Sequence, residues 1–155
     1  MNIEELKRER ARWEEQCLQW NKNFNRVADT FACAKEMEKT DPFGAIKLYL
    51  SIKETKYSNF DILGRLIILY RKTDQVEQEI KHIDLKIDCL YKSARFRMFI
   101  LKSKCPRDAD LIDKCYNEEI SYTTPNGRVV DFFIGIRKLI SRRERLEKKL
   151  LKQVY

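Results

Sequence analysis

Glycine and proline are scarce, with 4 and 3 among 155 residues. A β-fold needs frequent turns, so this shortage favours a handful of long helices. Histidine occurs once, at His82. It is the usual general base near neutral pH, and its near-absence weighs against most acid–base enzymes. There is no glycine-rich phosphate loop, no paired-histidine zinc motif and no Gly-x-Ser-x-Gly turn. Long apolar runs are missing too. The longest, residues 66–70, has five members, against the ~18 of a membrane span. The charged opening stretch, residues 1–13, lacks the apolar centre of a secretory signal. The expectation is a soluble, cytoplasmic chain with no membrane partner. Five cysteines stand at 17, 33, 89, 105 and 115, without a Cys-x-x-Cys pair. They read as reduced, mostly packed thiols, with no metal site and no cofactor.

What is abundant is charge, 36% of residues, mixed in sign and set against 43% hydrophobics. That balance supports a single helical domain over 1–155. Residues 3–39 hold neither proline nor glycine. Ile3, Leu6, Arg10, Trp13, Cys17, Trp20, Phe24, Val27, Phe31 and Ala34 alternate at three- and four-residue steps. This is a heptad seam with one charged intruder, Arg10. It reads as the core stripe of one long helix, or alternatively as a dimerising coil. Asp41 then caps a helix to about residue 55, with Pro42 at its first position and Phe43, Ile46, Tyr49 and Leu50 as its apolar face. Ser58 or Asn59 caps a third helix, with Asp61 in its first turn. Leu63, Leu66, Ile67 and Tyr70 form its buried side. Gly64 inside it reads either as the close approach of a neighbouring helix or as a glycine simply tolerated there. Asp74 caps a fourth helix to about residue 102, with seam residues Val76, Ile80, Ile83, Ile87, Leu90 and Ala94. A short acidic helix follows. Residues 123–127 are a loop, and residues 127–153 form a sixth helix along Val129, Phe132, Ile136, Leu139, Arg143, Leu146 and Leu150. The fold class is all-α, six helices with no strand.

The middle of the chain resembles the tetratricopeptide repeat. Ala45-Ile46 and Tyr49 look like the Ala-Ile-x-x-Tyr kernel of a repeat's second helix. Leu66 and Tyr70 match the leucine and tyrosine of the next repeat's first helix, and Glu79-Ile80 with Ile83 stand where its next kernel would be. The resemblance covers residues 30–90, about two repeats. It departs from the family where Ile67 replaces a glycine, Glu79 a small alanine, and Tyr57 lies near a missing proline. It implies antiparallel helical hairpins between long flanking helices, and protein or peptide binding.

Chemistry is hard to place. His82 falls off its helix seam and reads as a surface side chain. Cys89 lies about two turns from it, too far for a nucleophile–base pair. Glu14-Glu15 and Glu118-Glu119 point apart on a helix. Charge is more informative. Residues 127–155 carry 9 basic and 3 acidic side chains, and no acid lies between Asp88 and Asp108. The C-terminal basic helix, Arg137, Lys138, Arg142, Arg143, Arg145, Lys148 and Lys149, is the expected partner surface. Lys92, Arg95, Arg97, Lys102, Lys104 and Arg107 form a second cluster. The partners expected are another protein or an acidic peptide, or a second copy of the chain. Nucleic acid is the lesser alternative.

Overall fold

In a computed structural model, residues 3–55 and 60–154 are described. The fold is all-α, with six α-helices and one very small sheet among these residues. The chain divides into two compact units, Met1–Asp74 and Gln75–Tyr155.

The first unit contains α1 (Ile3–Met37), α2 (Pro42–Ile52) and α3 (Ile62–Lys72). Its core is built from Val27, Ala34, Ala45, Tyr49, Leu66 and Leu69 with their neighbours. Phe31 packs edge-on to Tyr49 and tilted against Phe60, at 5.4 and 5.0 Å between ring centroids. Asp41 caps α2 as its sequence suggests, its side chain accepting from the Gly44 amide at 2.8 Å. The cap of α3 is Asp61 itself, which accepts from the Gly64 amide at 3.0 Å. It therefore belongs one step before the first turn where it was expected. Ser58 and Asn59, and with them Tyr57, lie outside the described residues. Gly64 owes its place to this cap. An added Cβ would stand 2.2 Å from the Asp61 carboxylate, so no neighbouring helix is needed to explain it. Gly44 and Asp41 repeat the arrangement twenty residues earlier, with the same 2.2 Å conflict. The buried face of α2 is Ala45, Ile46, Tyr49 and Ile52. Phe43 and Leu50, expected on that face, are exposed.

The turn after α3 also differs. Thr73 closes α3 by donating its hydroxyl to the Leu69 carbonyl at 2.9 Å. Asp74 follows in the left-handed region, φ 53°, and Gln75 takes the N-cap position of the next helix. Asp74 thus ends one helix and does not cap the other; an aspartate tolerates that backbone better than most side chains.

The second unit contains α4 (Val76–Lys104), a 3-10 turn (Pro106–Asp108), α5 (Ala109–Asn117), β1 (Tyr122–Thr123), β2 (Val129–Val130) and α6 (Ile134–Val154). The strands pair antiparallel, Tyr122 opposite Val130 and Thr123 opposite Val129. They frame the expected loop as a hairpin, where Gly127 adopts φ 81°. The expectation of no strand is corrected here, and so is the start of the last helix. Val129 lies in a strand, and Phe132 precedes α6 in a segment that buries Phe132 and Phe133 against Ala94 and Ile136. A second cluster joins Ile112, Cys115 and Tyr122.

Candidate functional site

The residues chosen for their repeat-like positions lie largely inside. Ala45, Ile46, Tyr49, Leu66 and Tyr70 are buried, and Ile80 is half-buried. Tyr49 does more than fill space. Its hydroxyl donates to Glu38 Oε1 at 2.7 Å, and Arg65 Nε donates to the same oxygen at 2.7 Å. Arg65 Nη2 also bonds Glu38 Oε2. Burial by itself would raise the Glu38 carboxyl. The hydrogen bonds from Arg65 and Tyr49, with the Arg65 charge, outweigh it and hold the group below its ordinary value. Burial and the bond to Glu38 push Tyr49 well above the usual phenol range. Every polar member of this cluster is engaged with another, which suits a structural lock more than a reactive site. Glu38 gave little warning in the sequence, because it lies at the end of a charged helix.

A pH signature follows. Glu38 binds protons more weakly folded than unfolded, so its stabilisation is present above the unfolded value of 4.5 and is lost as pH falls through the lower folded value. Glu38→Gln should therefore lower the urea midpoint clearly at pH 6–7. The gap to the wild type should narrow progressively below pH ~4.5. A gap that stays constant down to pH 3 would remove the carboxylate's charge from the account.

His82 is buried, not at the surface, and its Nδ1–H donates to the Gln78 carbonyl at 2.8 Å. Only Cys115 of the cysteines is buried. Cys33 and Cys89 are exposed, and Cys17, expected in the core, is half-buried. No group of three or more His, Cys, Asp or Glu stands together to hold a metal among the described residues.

The basic C-terminal helix divides into an inner and an outer side. Arg142 forms a two-pronged pair with buried Glu79, at 3.0 and 3.1 Å. Arg143 pairs with Asp84 at 2.7 Å and with Glu147 at 3.3 Å. Arg137 pairs with Asp131 and donates to the Glu119 carbonyl at 3.1 Å. Arg142 thus serves the fold, while Arg137 and Arg143 pair at the surface with the partly exposed acids Asp131, Asp84 and Glu147. Lys138, Arg145, Lys148 and Lys149 remain exposed. Arg145, Lys148, Lys149 and Lys152 line a shallow depression of about 330 Å³.

The second basic cluster carries something the first lacks. On α4, Phe96 and Phe99 are 65% and 67% exposed, and Ile100 is 38% exposed. Helical spacing places them opposite Ala94, Met98 and Leu101, which pack inward. Exposed Lys92, Arg95 and Lys104 flank them. Arg97 and Lys102, by contrast, are tied to the Phe132 carbonyl and to Asp113. The aromatic pair was readable in the sequence, but its outward direction required knowing which face Ala94 buries.

Compared with models of known protein families, with curated proteins and with solved structures, the chain matches none of them. Among the described residues no helix is long and apolar enough to cross a membrane.

Proposed function

We propose that the chain is a non-enzymatic protein-interaction or scaffold module built on a tetratricopeptide-like helical core. The observation that carries this reading is the outward pair Phe96 and Phe99 framed by Lys92, Arg95 and Lys104. Aromatic anchors inside a cationic frame suit an acidic protein segment with apolar side chains of its own. The outer lysines of α6 extend the positive surface of the same unit. Support for the core comes from helices at the expected places and from the burial of Ala45, Tyr49, Leu66 and Tyr70.

A nucleic-acid-binding accessory role is the second reading, favoured by the same two rings, on which unpaired bases could stack between cations. Fluorescence anisotropy separates the two, using an acidic amphipathic peptide and a mixed-sequence single-stranded oligonucleotide. Peptide binding should weaken roughly 10- to 30-fold in Phe96→Ala/Phe99→Ala, the scale of a lost aromatic anchor. Oligonucleotide binding should be negligible at micromolar protein and ~100 mM salt. Tight oligonucleotide binding that falls by about 10³-fold between 50 and 200 mM salt would put nucleic acid first.

A further inference from the structure

The seam of α1 is covered only in its second half. Phe24 and Phe31 pack on Phe60, and Val27 and Ala34 are buried. From Ile3 to Trp13 the seam is open, with Ile3, Leu6 and Trp13 69, 48 and 65% exposed, and Trp20, though stacked on Phe24, is still 55% exposed. Arg10 lies at the middle of this stretch, in the seam itself. Trp13, Gln16, Cys17 and Trp20, together with Asn21, line an open depression of about 450 Å³. The first four stand at i, i+3, i+4 and i+7, the spacing of a hole that receives one side chain of a facing helix.

We infer that this stretch pairs antiparallel with the same stretch of a second copy of the chain, in the register where the numbers of facing seam residues sum to 23. Ile3 then meets Trp20 of the second copy, Leu6 meets Cys17, and Arg10 meets Trp13, each layer occurring twice about a two-fold axis. Large side chains face smaller ones in the outer layers. In the centre the guanidinium lies against an indole, a favourable cation–π contact that gives the charged intruder a role. Leu6 falls opposite the middle of the four-residue hole. Charge points the same way. In the antiparallel arrangement the flanking Lys7 faces Glu14 of the second copy, twice, and Glu9 faces the neutral Gln16. A parallel pair would instead place Arg10 on Arg10 and Glu9 beside Glu14. It would also run on into Phe24–Ala34, where α2 and Phe60 already pack. The antiparallel register uses the open stretch and ends where the covered one begins. The present Arg10–Glu14 bond, 2.8 Å and exposed on both sides, is of the kind that contributes little and is readily exchanged.

This extends the interaction reading to a separate surface in the other unit, so the two can fail independently. Sedimentation or light scattering over ~5–300 µM should show a dimer that dissociates on dilution, since so short a seam lies at the small end of specific interfaces. Trp13→Glu should leave a monomer of unchanged helicity, because the ring is exposed in the folded chain. Glu14→Lys should weaken the dimer about tenfold, and Lys7→Glu/Glu14→Lys should restore it; a parallel pair would respond to Glu14→Lys by tightening. Under mild oxidation Leu6→Cys should link to Cys17 of the second copy, identified by mass spectrometry of the joined peptides. Native Cys17 should not link to itself, being displaced along the axis by eleven residues, about 16 Å. A chain that stays monomeric at the highest concentration, a dimer that survives Trp13→Glu, or a Cys17–Cys17 disulfide overturns the inference. Phe96→Ala/Phe99→Ala should leave the dimer intact, so failure of peptide binding and failure of self-pairing are read separately.

Discussion

Ala45→Arg should lower the melting point of the first unit by some 15 °C or more, or prevent it from folding. Ala45 is fully buried among Tyr49, Ile46, Leu66 and the second half of α1. No volume is available for six further heavy atoms, and overpacking alone typically costs about 1–3 kcal/mol. The guanidinium adds an uncompensated charge in an apolar setting, commonly worth another 3–5 kcal/mol. In a unit of some seventy residues, each kcal/mol moves the midpoint by roughly 4–8 °C. Both tryptophans, Trp13 and Trp20, belong to α1, and Trp20 stacks on Phe24 at 5.3 Å. Their fluorescence therefore follows the first unit specifically. Ala45→Ser, which adds one polar atom, should fall well short of this loss. A midpoint unchanged by Ala45→Arg would end the packing role assigned to Ala45, and with it the strongest position in the repeat-like kernel.

How far the sequence could be read follows from where each signal lies. Long periodic segments were readable because their apolar spacing is repeated many times. The ends of α1 and α4 fall within two residues of expectation. Helix starts were harder. Asp61 and Asp74 are both aspartates beside a helix start, yet one caps it and the other closes the preceding helix with φ 53°. Only backbone geometry separates those roles. Val129 and Phe132 continue the period of α6, but a hairpin held by Thr124 and Gly127 fixes the chain before the helix begins. The apolar face of α2 was right at Ile46 and Tyr49 but turned by part of a rotation, because Phe43 and Leu50 are as hydrophobic as Ala45 and Ile52, which are buried instead. The basic clusters were visible as composition, while their use was not. Which arginine turns inward depends on acids sixty residues away, and periodicity carries no information at that range. The same holds for Glu38, whose partners Tyr49 and Arg65 lie on two other helices.

Arg142→Met should be the other large loss, this time in the second unit. The Arg142 guanidinium grips both oxygens of Glu79, whose side chain is only 2% exposed. Removing the cation leaves a buried carboxylate without its two-pronged partner, a change that typically costs about 3–5 kcal/mol. Arg142→Lys should recover only part of it, because an ammonium cannot reproduce the two parallel bonds. Glu79→Leu/Arg142→Met should come back close to wild type, since apolar side chains of similar volume avoid the desolvation that the pair must overcome. Urea unfolding followed by far-UV circular dichroism completes the double-mutant cycle. A single-variant loss below ~1 kcal/mol would mean that the pair does not hold α4 to α6. The cycle also bears on function. Arg142 is the cation of the C-terminal cluster most fully committed to the fold, so the double variant should bind an acidic peptide as the wild type does. Lys148→Glu/Lys152→Glu, on the exposed side, should weaken that binding without changing the urea midpoint. The opposite result would mean that a partner competes with Glu79 for Arg142, and that binding and the internal ion pair exclude one another.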